Sequence, residues 1–312
     1  MIISASRRTD IPTYYTDWLI NRIHEGYVYV RNPMNTHQIS HISLSPDVVD
    51  GIVFWTKNPI PMIPKLHELK DYMYYFQFTL NSYGKDVEGN VPNKNDVIIP
   101  AFRELSRNIG PERVIWRYDP IFLNQKYTID YHVHYFEEIA KRLRGFTEKC
   151  VISFIDLYRN TKQNTKGMDI WPLGDAEMCE IVRRLVEIAS KYGITIESCA
   201  EKINLEQFGI EHGHCIDCNL FERLLGYSLS LEKDKNQREE CGCMASIDIG
   251  MYNTCKNDCR YCYANYSNTI VDKRYNDHDS NSPLISGCIQ NDDVIKIRNM
   301  KSCKNCQMRL FE

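Results

Sequence analysis

The stretch MYNTCKNDCRYCYAN, residues 251–265, carries three cysteines in the spacing CxxxCxxC: Cys255, Cys259 and Cys262. Thiolates are ligands for zinc and for iron–sulfur clusters, and a closed shell of either kind usually has four ligands. Three thiolates therefore predict a metal centre with one coordination position open to another molecule. Cysteine-rich sequences also produce this spacing by chance or for zinc, so the motif alone does not identify the metal.

A second set of cysteines predicts a second metal site. The chain has 13 cysteines in 312 residues, and ten of them lie after residue 214. Four thiolates complete the shell of an iron–sulfur cluster or of a structural zinc. The predicted ligands are Cys199, Cys215, Cys241 and Cys243, with Cys218 as a substitute for Cys215. The alternative is that two or three of these thiols are free or belong to the core.

The remaining cysteines and nearby histidines receive simpler interpretations. Cys303 and Cys306 form a CxxC pair, which is either a further half-site joined by Cys288 and Cys218 or a redox-labile end. Cys150 and Cys179 stand alone in apolar surroundings and are expected to be inert. His212 and His214 flank Cys215, but the surplus of thiols makes them surface histidines rather than ligands.

Composition indicates an ordinary water-soluble chain. The 38 basic and 41 acidic residues give a net charge of -3, so no broad basic surface for nucleic acid is indicated. No run of 18 apolar residues is present, and the first residues do not read as a secretory signal. A cytoplasmic location with reduced cysteines is therefore expected.

Six short apolar runs, each followed by a helical pattern, organise the first 230 residues. The runs lie at 2–6, 51–57, 74–80, 113–119, 150–156 and 194–198. They are continuously apolar rather than alternating, which is typical of strands buried on both faces of a parallel sheet. Serial strand–helix units favour an α/β fold, either a barrel or a doubly wound sheet.

Three further segments complete the predicted organisation. YVYV and HQISHISL are expected to form a hairpin after the first helix, and residues 245–250 are expected to form an extra strand. A charged linker at 230–241 divides the chain into a barrel domain, 1–230, and a cysteine-rich tail, 231–312. The tail has few apolar residues, so it needs metal or a host surface to fold.

Polar residues gather after the apolar runs, where the carboxyl ends of parallel strands would open on one face. The predicted catalytic residues are Lys57, Arg117, Asp119 and Asp156. The alternative is that strands simply exit into polar loops. Arg117 and Asp119 lie on one side of their strand and would then only pair with each other.

The CxxxCxxC motif, with Tyr261 just before its third cysteine, resembles the signature of radical S-adenosylmethionine (SAM) enzymes. The resemblance implies a [4Fe–4S] cluster whose open iron binds SAM, reductive cleavage to a 5′-deoxyadenosyl radical, and an electron donor such as flavodoxin or ferredoxin. It also implies a partial (β/α)6 barrel. Tyr261, placed against the adenine, and Glu201 are the predicted cofactor-binding residues.

Two features depart from that superfamily. Its cluster loop usually follows the first strand, whereas here the motif follows the sixth unit, so a permuted order is expected. A glycine-rich GGE-type segment, which usually binds the SAM amino group, is missing from the sequence.

The whole chain also resembles a bacterial family of uncharacterised function through SASRRTDIP, FWTKNP, WRYDPI and KDKNQR. This family implies no substrate. The alternative to an enzyme is a non-catalytic zinc or iron–sulfur module, in which the barrel binds a ligand or nucleic acid.

Overall fold

A computed structural model describes residues 1–305, in a mixed α/β arrangement built around a large parallel sheet. Cys306, half of the predicted CxxC pair, lies outside the described residues. The strands are β1 (Ile2–Ala5), β2 (Tyr27–Asn32), β3 (Asn35–Ser43), β4 (Gly51–Thr56), β5 (Tyr74–Thr79), β6 (Val114–Ile121), β7 (Lys149–Phe154), β8 (Thr195–Ser198), β9 (Glu211–His212), β10 (Ser246–Asp248) and β11 (Val294–Ile297).

Eight strands form the main sheet in the order β10-β1-β4-β5-β6-β7-β8-β9. All neighbours pair in parallel. The six predicted strands are present and follow one another across the sheet in chain order. The expected extra strand is β10, which pairs with β1. Among residues 1–305 no backbone pairing joins β9 to β10, so closure into a barrel is not observed.

The helices that follow these strands match most of the predicted helical patterns. They are α1 (Ile11–Tyr14), α2 (Thr16–Glu25), α3 (Ile99–Ile109), α4 (Ile129–Leu143), α5 (Arg159–Asn164), α6 (Asp175–Lys191), α7 (Cys218–Leu225) and α8 (Asn268–Asn276). One prediction is wrong in type, since Ile63–Leu69 is a 3₁₀ helix. The segment is only seven residues long, and 3₁₀ hydrogen bonding is common in such short pieces.

The expected hairpin is confirmed, since β2 and β3 pair antiparallel. Within the predicted tail, β10 joins the main sheet, whereas β11 pairs with β3 in a separate sheet of three strands. The main core lies between the sheet and its helices, and its largest fully buried side chains include Trp18, Trp116 and Phe102. No helix within the described part of the chain is long and apolar enough to cross a membrane.

Candidate metal centre and its surroundings

The CxxxCxxC loop follows β10 directly and packs on the segment that follows the neighbouring strand β1. Tyr15 donates from its hydroxyl to the carbonyl of Thr254 at 2.7 Å, and the hydroxyls of Thr9 and Thr254 are 2.6 Å apart. Because β10 and β1 are parallel, both segments leave the sheet at its carboxyl edge. The RRTDIP segment that follows β1 therefore supports the cysteine loop.

Asp10 is the main polar link between these two segments. Its buried carboxylate accepts from the side chains of Thr56 at 2.8 Å and Asn257 at 2.9 Å, and from the backbone N–H groups of Lys57 at 2.8 Å and Thr13 at 3.1 Å. One carboxylate thus fixes the ends of β1 and β4 to the cysteine loop.

Backbone N–H groups surround two of the three sulfur atoms. Those of Asp10 and Asn257 donate to the sulfur of Cys255, and those of Ala264 and Asn265 donate to the sulfur of Cys262. Such donors stabilise thiolates and tune metal-bound sulfur.

The same loop is partly buried, and its thiols respond to that burial. Burial raises the pKa of Cys255 to about 12. Burial likewise raises the pKa of Cys259, while the positive charge of Lys57 opposes the rise. The thiols also affect one another, since the charge of Cys262 raises the pKa of both Cys255 and Cys259. The structure therefore brings the three predicted ligands together at the carboxyl edge of the sheet.

Lys57, predicted as catalytic, lies in a charged network with Tyr261. Its Nζ donates to Glu88 at 2.8 Å and to the hydroxyl of Tyr261 at 2.7 Å. That hydroxyl also donates to Glu88, and it accepts from Asn81 at 3.1 Å. Burial alone would raise the pKa of Glu88. The positive charges of Lys57 and Lys94 outweigh that effect and lower the pKa of Glu88 to about 2.

The role of Tyr261 in this network is to anchor the cysteine loop. The ring packs against Tyr83 and its neighbours after β5, and the hydroxyl is engaged by three polar partners. The predicted contact with adenine stays a prediction.

The other predicted catalytic residues form two charge pairs, one within β6 and one after β7. Arg117 pairs with Asp119 within β6, as the simpler interpretation of WRYDPI expected. Asp156 pairs with Arg238 of the KDKNQR segment, and both side chains are partly exposed. The structure places these residues at the carboxyl edge, and a catalytic role for them stays a prediction.

Glu201 lies near Asp156, and its carboxylate accepts from the backbone N–H of Phe154 at 2.8 Å. Burial, assisted by the charge of Asp156, raises the pKa of Glu201 to about 7. The predicted contact of Glu201 with a cofactor stays a prediction.

The four cysteines of the predicted second site also converge. The sulfur of Cys199 lies 3.4 Å from that of Cys215. The thiol of Cys215 is hydrogen bonded to Cys243, and Cys243 in turn to Cys241. The substitute ligand Cys218 instead lies near Cys303.

The remaining candidates make other contacts. Cys303 donates its N–H to Asp50, which precedes β4 at the amino edge of the sheet. Cys288 contacts Gln290 and, through its carbonyl, Arg31 of β2. His212 is exposed on β9, as expected, while the ring of His214 lies against Gly242.

Several residues of this edge were not indicated by the sequence. Glu88 and Lys94 carry no motif that marks them. Asp248 ends β10 and accepts hydrogen bonds from Ser4 and Ser6. The sequence could have indicated Asp248, because it stands at the end of the expected extra strand. Arg238 stands in KDKNQR, whose charge was interpreted only as that of a linker.

Comparison with known proteins identifies the family. Residues 2–264 match the family described as domain of unknown function (DUF1848). No curated protein matches the chain. The family match spans most of the sequence, including the three cysteines of the loop, and the chain belongs to the DUF1848 family. The expectation of an uncharacterised family is thereby confirmed, whereas a relationship to radical SAM enzymes stays a prediction.

Proposed function

We propose that this DUF1848 protein is a radical SAM enzyme whose Cys255, Cys259 and Cys262 hold a [4Fe–4S] cluster. The observation that carries the proposal is the cysteine loop itself. Its three thiols lie near one another, and backbone N–H groups are directed at the sulfurs of Cys255 and Cys262. These donors suit sulfur that carries negative charge, as it does when bound to metal.

The spread of the sulfur atoms supports a cluster over a single zinc ion. Thiolates around one zinc ion stand roughly 3.8 Å apart, given a Zn–S bond of about 2.3 Å. Within residues 1–305, only His37, Asp292 and Asp293 form a group of three or more ligand atoms all within 4.8 Å of one another. At least one pair of the loop sulfurs is therefore more than 4.8 Å apart, which exceeds the edge of a zinc shell. That His–Asp group is largely exposed and acidic, and it carries no proposal.

A cluster with three thiolate ligands supplies an open iron at which SAM binds and is cleaved reductively to a 5′-deoxyadenosyl radical. The residues of this chain bind, orient and shield that centre. Asp10 fixes the loop to the sheet, and Lys57 places a positive charge beside Cys259. Glu88 and Tyr261 close the loop against the segment that follows β5.

We also propose that the main sheet is a partial barrel of radical SAM type in permuted order. Six strand–helix units follow one another in chain order, which supports a singly wound sheet. The cluster loop leaves β10, and β10 lies beside β1. In the usual radical SAM order the cluster loop follows the first strand. Here β10 takes that role, because it lies beside β1 and its loop leaves the sheet at the same edge. The substrate is unassigned, and flavodoxin or ferredoxin is the proposed class of electron donor.

The test compares anaerobically purified, reconstituted protein with its Cys255/Cys259/Cys262→Ala variant. The wild-type protein is expected to contain iron and sulfide and to produce 5′-deoxyadenosine from SAM under dithionite. The triple variant is expected to lose that production completely. Cys288→Ala, an exposed thiol outside the loop, is the matched control and should keep full production.

Undiminished 5′-deoxyadenosine in the triple variant would overturn the proposal. A colourless wild-type protein with stoichiometric zinc and without iron would instead favour the non-catalytic metal-binding module.

A further inference from the structure

The four thiols of Cys199, Cys215, Cys241 and Cys243 form one continuous row of sulfur contacts. They come from three separate parts of the chain: the end of β8, the turn before α7, and the segment before β10. In sequence they span more than forty residues, yet the fold brings them to one place beside the carboxyl edge. Such convergence of thiols from distant segments is typical of a metal site in a reducing compartment.

Two buried guanidinium groups face this row. Arg117 donates from Nη1 to the sulfur of Cys215 at 2.8 Å. Arg7 stacks on Trp55 at 5.3 Å and acts electrostatically on Cys243 and Cys215. The Nη2 of Arg7 is buried without a hydrogen-bond partner. A buried, unpaired cationic donor is costly unless an anion lies beside it. Metal-bound thiolates and cluster sulfides supply that negative charge, whereas neutral thiols do not.

The backbone that carries the sulfurs is held on both sides. The carbonyl of Cys215 accepts from Tyr75 at 2.7 Å and from Gln77 at 3.1 Å, and the N–H of Cys199 donates to the carbonyl of Ile152 at 2.8 Å. Gly242 separates Cys241 from Cys243, and a Cβ there would lie 2.5 Å from the His214 ring. The ligand positions are therefore fixed by the sheet and by close packing.

We propose that Cys199, Cys215, Cys241 and Cys243 bind a second iron–sulfur cluster with a complete thiolate shell. Two guanidinium groups beside these sulfurs suit a centre that gains negative charge on reduction, as a cluster does. Four thiolates leave no open iron, so this cluster does not bind SAM. It is suited to carrying single electrons and to joining β8 to the segment before β10. The inference does not depend on the proposed function.

The test measures metal in the full chain after anaerobic reconstitution with iron and sulfide. The Cys255/Cys259/Cys262→Ala variant should retain about four iron and four sulfide per chain, with an electron paramagnetic resonance (EPR) signal after reduction. Adding Cys215→Ala and Cys243→Ala should abolish that iron. Cys179→Ala, a thiol of α6 outside both groups, is the matched control for substitution and should change neither value.

A second variant, in which the cysteines of this site are replaced instead, keeps the proposal testable if the triple variant fails to fold. Cys215→Ala/Cys243→Ala should lose the iron of this site, about four per chain, while any iron bound by the CxxxCxxC loop is retained. Full iron content in this variant, or stoichiometric zinc without iron in the triple variant, would overturn the second cluster. Because iron and EPR are read without SAM, these results are independent of whether 5′-deoxyadenosine is formed.

Discussion

Arg117 donates a hydrogen bond of 2.8 Å to the sulfur of Cys215, 98 positions away in sequence. The same guanidinium group pairs with Asp119 and contacts Gln77 at 3.2 Å. A cation that binds a ligand sulfur stabilises the more negative, reduced form of a cluster. Arg117 is therefore expected to tune the second cluster, in addition to any part it has in catalysis.

Replacing Arg117 should lower the reduction potential of the second cluster. In the Cys255/Cys259/Cys262→Ala background, Arg117→Met removes the donor and the charge, and a fall of roughly 60 mV is expected, equivalent to about 1.4 kcal/mol for one electron. Arg117→Lys keeps the positive charge but loses the planar guanidinium group, so it should lower the reduction potential by less. An EPR-monitored redox titration measures both. An unchanged potential in Arg117→Met would show that this side chain does not act on a cluster ligand.

Asp10→Asn should release the cysteine loop from the ends of β1 and β4. Each carboxylate oxygen accepts from two donors, so an amide NH₂ at either position would face donors instead of acceptors. We expect a loss of roughly 3 kcal/mol in the free energy of unfolding and loss of iron from the first cluster, with the second retained. Asp17→Asn, whose carboxylate is 69% exposed in its pair with Lys65, should change stability by less than about 1 kcal/mol. Full iron in Asp10→Asn would contradict the anchoring role of this carboxylate.

The sequence predicted the strands and the ligand types better than it predicted the contacts between them. Strands buried on both faces leave continuous apolar runs, so β1, β4, β5 and their successors could be recognised locally. Cysteines are chemically distinctive, so both thiol groups could be named. The partner of Tyr261 could not, because Glu88 is 173 residues away and stands in an ordinary polar loop.

The departures have equally physical causes. The predicted helix after β4 is a 3₁₀ helix because its segment is only seven residues long, and 3₁₀ hydrogen bonding is common in such short pieces. The strand pairing of β10 with β1 depends on sheet order, which local patterns do not encode. The pairing of Asp156 with Arg238 brings a charged segment onto the carboxyl edge, although its composition indicated only a solvated linker.

Glu88→Gln should destabilise the protein strongly. The carboxylate is 2% exposed and pairs with both Lys57 and Lys94, so its removal leaves two largely buried cations without a counter-charge. A cost of roughly 3–5 kcal/mol is expected. Urea unfolding of the metal-free protein at pH 7.5 measures it. The matched control is Glu104→Gln on the exposed face of α3, which should stay within about 0.5 kcal/mol of wild type. A loss below about 1 kcal/mol in Glu88→Gln would mean that the cations find other partners.

His132 should make the stability of the metal-free protein depend on pH between neutrality and pH 4. Burial lowers the pKa of His132 from 6.5 to about 4, and the ring lies 2.9 Å from the hydroxyl of Tyr118 and 2.9 Å from the carbonyl of Phe122. The folded state therefore keeps a neutral imidazole while the unfolded chain takes up a proton below pH 6.5, so stability is full above that pH and falls as the pH drops toward 4. Between pH 7.5 and pH 5 this histidine should account for a loss of about 2 kcal/mol in the free energy of unfolding.

Urea unfolding at the two pH values should show that His132→Gln lacks this part of the loss, whereas His134→Gln, on the exposed face of the same helix, retains it. Equal pH dependence in the wild type and in His132→Gln would show that the buried imidazole does not resist protonation.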